Sequence, residues 1–138
     1  MSQDRDVLKE SLVDRFQELV NEVLVRHHSV LDVLSKLAES ETRINRAVAK
    51  SVTGCGCIQI QASRQQYDND LPYDALHQNV SSHIVGKICE RDREILEEEM
   101  GQLLFYLTAL ANLLDISLYD TLVKKYNAAN TLGRFYLS

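Results

Sequence analysis

The stretch EEEMGQLLFYLTALANLLDISLYDTLVKK, residues 97–125, decides how this chain folds. A run of glutamates gives way to Leu103, Leu104, Tyr106, Leu107, Leu110, Leu113 and Leu114. These fall on nearly every face of one helix. A helix that is apolar all round belongs at the centre of a bundle or in a subunit interface. The apolar run 103–114 is too short for a membrane span, which needs about 20 residues. Asp115-Ile116-Ser117 breaks the pattern, and Ser117 suits the N-cap of a last helix through about Ala129.

Outward from this segment the chain reads as further helices. Upstream, the central helix is predicted from about Ser82, with a break near Gly86. Leu8, Leu12, Phe16, Leu19, Val20 and Val23 recur at helical spacing and predict a helix over 4–27. A second helix is predicted from Val30 to about Thr53, with Ser29 as its cap and a stripe of Val30, Leu34, Leu37, Ile44, Val48 and Val52. That stripe has a polar hole at Glu41. Gly54 is placed as the left-handed residue that ends the helix. Residues 55–62 alternate and read as extended, and 63–80 as loop, with Pro72 or Asp74 starting a short helix or turn. The tail carries Leu132, Phe135, Tyr136 and Leu137, apolar enough to dock on something. The expectation is one all-α domain over residues 1–138, a bundle of four to five helices.

Composition bounds the function. With 138 residues, 45% of them hydrophobic, the chain can bury a core without staples. One proline and five glycines favour long helices. A net charge of −5 argues against general nucleic-acid binding. The start MSQDRD lacks the basic and apolar regions of an export signal, so the expectation is a cytoplasmic protein. Its cysteines, Cys55, Cys57 and Cys89, are then thiols. They offer three soft ligands, and His27, His28, His77 and His83 are the candidates for a fourth, but the spacing matches no zinc module. The expectation is that they pack the helix end without metal.

Glu99 and Gln102 share a helical face with Ile95 and Tyr106, which draws a carboxylate towards the core. Such a group needs a cation or hydrogen-bond donors. Arg43, Arg46 and Lys50 lie three to four residues apart and line one face of the second helix.

In its segment 97–125 the chain resembles the MazG-like, all-α nucleoside triphosphate pyrophosphohydrolases. That family carries Glu-Glu-Leu-Gly-Asp, an apolar helix with tyrosine, Ile-x-Leu and then a lysine. Glu98, Glu99, Met100 and Gly101 match, as do Tyr106, Leu107, Leu110, Ala111, Ile116, Leu118 and Lys125. Residues 34–50 resemble the family's earlier Glu-x-x-Glu helix, and the likeness spans about 30–130. It implies a MazG-like bundle and an oligomer. The family's acids hold Mg²⁺ against substrate phosphates, but here Gln102 replaces the aspartate, and Ser40 and Arg43 replace the two glutamates. Where the family has asparagine four residues after the lysine, this chain has Ala129, with Asn130 one residue on.

Three readings follow. In the first, which we favour, the chain is a non-catalytic MazG-like protein binding a phosphorylated ligand or a protein partner. Glu39, Arg43, Arg46, Lys50, Glu98, Glu99, Gln102 and Lys125 then form the site, with no metal. The second is an active pyrophosphohydrolase using Mg²⁺ on Glu39, Glu41, Glu98 and Glu99. The third is a structural or regulatory helical homo-oligomer. The first reading also expects Arg43 to pair with Glu99 or Glu98.

Overall fold

Helices and one small sheet carry the described part of the chain, as a mostly helical sequence requires. The structure, a computed structural model, describes residues 2–24, 28–67, 70–72, 75 and 80–136, with side chains described within these ranges from 12 to 132. Helix α1 spans Ser2–Val23 and α2 spans Val30–Lys50, continued by one π turn over Ser51–Cys55. Strands β1 (Ile58–Ile60) and β2 (Ile84–Gly86) follow, then α3 (Glu90–Leu113) and α4 (Leu118–Tyr136). The expectations for His27, Asp74, His77 and the tail side chains from Phe135 lie outside the described residues. Among the described residues no single helix is long and apolar enough to cross a membrane.

The chain divides into two compact units, Met1–Thr42 with Glu99–Ser138, and Arg43–Glu98. In the first, Val20, Leu24, Val33 and Ala109 form the buried core, with Phe16, Phe105, Tyr106 and Leu110 packed on it. The Phe105 and Tyr106 rings meet edge to face at 5.2 Å, the arrangement their quadrupoles favour. On the part of α3 in this unit the buried positions belong to Thr108, Ala109 and Ala111, while Leu104, Leu107 and Leu113, and Leu114 just after it, stay exposed. Small residues allow close packing. The leucines that mark the sequence as a core helix leave half of its apolar surface open. Leu132, at the start of the apolar tail, is exposed as well.

Helix α2 also turns differently from its hydrophobic stripe. Its most protected positions are Val33, Leu37, Ser40, Ile44, Ala47 and Ser51, whereas Val30, Leu34, Glu41 and Val48 are exposed. The polar hole at Glu41 therefore lies off the buried face. Ser40 and Ser51 can be buried because each hydroxyl donates to the carbonyl four residues back, Lys36 at 2.8 Å and Ala47 at 3.0 Å.

One side chain organises the corner after α3. The amide of Asp115 donates to Asn112 and that of Ile116 to Ala111, a Schellman ending with Asp115 at φ 55. Ser117 caps α4, its Oγ accepting from the Asp120 amide at 3.1 Å, as the sequence predicts. The backbone groups left over meet Gln17 of α1. Its Nε2 donates to the Ile116 carbonyl at 2.8 Å and its Oε1 accepts from the Leu118 amide at 2.9 Å. Asn112 Nδ2 completes the joint by donating to the Gln17 carbonyl at 3.0 Å.

Gln17→Ala should therefore strand a half-buried donor and acceptor. We expect a loss of about 1–3 kcal/mol in denaturant unfolding, against little change for the neighbouring exposed Glu18→Ala.

Candidate metal centre

In the unit Arg43–Glu98 the end of α2 and the start of α3 bring four ligand atoms together. The sequence SVTGCGC does not stop the helix at Gly54. The chain widens into the π turn, closed by Gly56 N–H donating to the Ser51 carbonyl at 2.9 Å. The left-handed residue is Gly56, at φ 76. This delay of two residues projects Cys55 and Cys57 from either side of the turn. The segment expected to begin the central helix at Ser82 is instead a strand. Ile84 and Val85 are β-branched, and β2 pairs antiparallel with β1 in the register Ile58↔Gly86 and Ile60↔Ile84. The pairing delivers Cys89 to the foot of α3, where Asp92 sits in the first turn.

Gly86 makes that approach possible. It holds φ +92, and a Cβ added there would lie 2.6 Å from the Cys57 carbonyl oxygen. The connection between the strands is long, and Gln65 clips its base. Its Nε2 donates to the Ser81 carbonyl at 2.6 Å and its Oε1 accepts from the Ser81 amide at 2.9 Å.

Cys55, Cys57, Cys89 and Asp92 present ligand atoms that all lie within 4.8 Å of one another. The Sγ atoms of Cys55 and Cys89 are 3.8 Å apart. The Cys57 thiol donates to Asp92 Oδ2 at 3.3 Å and is 3.8 Å from the Ser51 carbonyl. The other oxygen, Oδ1, meets Arg91 Nε at 3.4 Å. Asp92 is buried, Cys57 and Cys89 half-buried, and Cys55 exposed. That exposure is a difference from the buried packing role expected of the cysteines: a residue on the outside of a turn has no core to fill.

The electrostatics follow from these contacts. A backbone hydrogen bond from Cys89 lowers the Cys57 thiol pKa, but desolvation and the side-chain bonds to Asp92, Cys89 and Cys55 outweigh it, and the thiol is pushed up to about 11. Burial raises the Asp92 pKa, yet donation from the three thiols and the Arg91 charge leave it below the usual carboxylate value. The Arg91 guanidinium is held more firmly protonated by its hydrogen bond to Asp92. Beside the cluster a recess of about 300 Å³ is lined by Ala47, Lys50, Gly54, Cys55, Arg91, Asp92 and Ile95.

Of the residues expected to bind a phosphorylated ligand, Lys50 lines this recess. Arg43 and Arg46 are exposed on α2, and Glu39 is exposed with Lys36 Nζ 3.3 Å from its carboxylate. Glu98, Gln102 and Lys125 are exposed. Glu99 is half-buried, as its spacing predicts, and its Oε2 is buried without a hydrogen-bond partner. Among the described residues, the Cys55 cluster is the group in which three or more His, Cys, Asp or Glu ligand atoms converge. His28 is exposed, and His83 is half-buried with Nε2 buried and partnerless; neither joins it. Sequence reasoning missed Asp92. The signal was Cys89-x-x-Asp92, the spacing of a Cys-x-x-Cys ligand pair with a carboxylate in the second place. Comparison with known proteins returns no match to a family model, a curated protein or a solved structure.

The two glycines separate by experiment. Gly86→Ala should weaken the strand pairing and lower the melting temperature, since strain at positive φ costs about 1–3 kcal/mol before the clash with Cys57 is counted. Gly54→Ala, with nothing within 4 Å of the added Cβ, should change stability little or raise it slightly.

Proposed function

We propose that this protein is a metal-organised helical protein in which Cys55, Cys57, Cys89 and Asp92 hold one Zn²⁺ as a structural cross-link. The proposal places a metal where the sequence reading expects none. One observation carries it: the four ligand atoms all lie within 4.8 Å of one another, and two of their separations are near those of a coordination tetrahedron. With Zn–S about 2.3 Å and Zn–O about 2.1 Å, tetrahedral edges are about 3.8 Å between sulfurs and about 3.6 Å between sulfur and oxygen. The Cys55–Cys89 and Cys57–Asp92 separations are 3.8 and 3.3 Å. Three thiolates with one carboxylate suit zinc and exclude Mg²⁺, which takes hard oxygens. Four protein ligands make a closed site of the structural kind.

The unit has reason to need such a link. Its buried side chains among the described residues are Ser51, Ile58, Asp92 and Leu96, two of them polar. Domains below about 70–80 residues with so thin a core are held by metals or disulfides. Three thiolates, one carboxylate and Zn²⁺ leave a formal double negative charge. Lys50 and Arg91, both lining the adjoining recess, offset it. Arg91 on Oδ1 leaves Oδ2 to face the metal, the outer support that ligating carboxylates require. With those cations neutralising the centre, the recess gives no argument for a phosphorylated ligand. For the four helices among the described residues, a MazG-like bundle without catalysis remains our proposal, supported by the apolar segment of α3.

Protein purified without chelator should contain one zinc per chain, lost on Cys57→Ser and reduced in affinity by Asp92→Asn. Cobalt substitution should give thiolate charge-transfer and tetrahedral ligand-field bands. Absence of both stoichiometric zinc and the cobalt spectrum in refolded, reduced protein would falsify the centre. Binding must strip protons from thiols, Cys57 above all, so affinity should rise with pH. Competition with a chromogenic chelator should show Kd falling by up to about three orders of magnitude per pH unit below the thiol pKa values.

A further inference from the structure

We propose that Cys55 and Cys89 are the oxidation site of this centre: a hydroperoxide joins them as a disulfide and thereby expels the metal. The inference rests on the zinc reading and adds its regulation. Three thiols converge, but they are not equivalent. Cys57 is turned to Asp92 Oδ2 and to the Ser51 carbonyl. Cys55 and Cys89 face each other with Sγ atoms 3.8 Å apart. A disulfide needs about 2.05 Å, so the pair must close by under about 2 Å. The chain is built to allow that. Cys55 lies between Gly54 and Gly56 at the end of the π turn, and Cys89 precedes the first residue of α3.

Exposure decides where oxidation begins. Cys55 is the exposed member of the three and the one an oxidant in solution reaches. Its thiolate attacks the peroxide, the O–O bond breaks, and Cys55 carries a sulfenic acid while the departing oxygen leaves as water after taking a proton. The Cys89 thiolate then attacks Cys55 Sγ. The S–S bond forms, the sulfenic oxygen leaves, and a second proton makes it water. Two thiolates, one H₂O₂ and two protons thus give one disulfide and two waters, with two electrons passing from sulfur to the peroxide. The metal is left with Cys57 and Asp92, half of its ligand set, and dissociates. A dithiol reductant with added Zn²⁺ restores the first state. Disulfides of reducing compartments are typically transient and redox-sensing, which fits an exposed pair of this kind.

The test uses the full-length, zinc-loaded protein with one equivalent of H₂O₂ and a chromogenic chelator in solution. We expect one zinc released per disulfide formed and a mass lower by about 2 Da. Peptide mapping without reductant should join Cys55 to Cys89 and leave Cys57 open to alkylation. Dithiothreitol with Zn²⁺ should reverse all of these changes. The proposal is overturned if the disulfide includes Cys57. It is equally overturned if zinc leaves with Cys55 over-oxidised and no disulfide made. The same mapping on metal-free protein separates the two readings. A Cys55–Cys89 bond in protein that never holds zinc retains the oxidation site and removes the metal from it; no bond in either sample removes the oxidation site alone. A Cys89→Ser variant gives a further check, since its Cys55 should stop at sulfenic acid, trapped by dimedone.

Discussion

The arrangement of the smaller unit depends on one close approach, that of Gly86 to the carbonyl of Cys57. A side chain at position 86 would stand 2.6 Å from that oxygen, inside any tolerable contact. Without one, β2 lies against β1 in the register that pairs Gly86 with Ile58. The register fixes how far along the chain α3 begins. Cys89 is three residues past Gly86 and Asp92 three further, so both meet Cys55 and Cys57 only in this register. A slip of one residue would turn each strand side chain to the opposite face. It would also part the ligand atoms that now lie within 4.8 Å. Glycine at 86 is thus a condition for the thiolate cluster, although it contributes no ligand.

The larger unit shows a different economy. Its buried apolar side chains Val20, Leu24, Val33 and Ala109 come from α1 and its end, from α2 and from α3, and the turn between α3 and α4 is closed by polar contacts from Gln17. A helix corner leaves carbonyls and amides without partners. Gln17 supplies an acceptor and a donor at once, to groups two residues apart in the turn. Thr108 does a similar service inside α3. It is fully buried, and its hydroxyl donates to the Leu104 carbonyl at 2.6 Å. Thr108 thus takes a buried position on α3 while Leu104, Leu107 and Leu113 are exposed.

This explains how far the sequence could be read. Long helices were legible because their periodicity extends over many residues, and Ser117 was legible because capping is local. The facing of α2 was legible in part. Leu37, Ile44 and Val52 of its stripe are protected, but so are Ser40, Ala47 and Ser51, which carry little hydrophobic signal, while Val30, Leu34 and Val48 are exposed. The end of α2 was placed at Gly54, where the first of two glycines stands, but the π turn passes it and uses Gly56. The sheet was half legible: Ile58–Ile60 alternates with polar neighbours, while Ile84–Gly86 is short and precedes a strong helix. Of the candidate centre, the cysteines were visible. Asp92 was not, because a helix read from Ser82 places it mid-helix in the charged run 90–94, where an acid reads as part of a solvated face. Only the pairing of distant strands gives it a second role.

That double role is the last step. At the start of α3, Asp92 is placed where a negative charge is favoured by the free amides of the first turn. It is also buried and accepts from Cys57 on one oxygen while meeting Arg91 with the other. A buried carboxylate without such partners would be protonated or would expel its helix turn from the interior. With them it stays ionised below its usual range, and its Oδ2 remains directed at the sulfurs. A fourth cysteine here would bring four thiols into reach of one another. The carboxylate cannot be oxidised to a disulfide, and it accepts from Cys57 at 3.3 Å while the Cys55 and Cys89 Sγ atoms stand 3.8 Å apart.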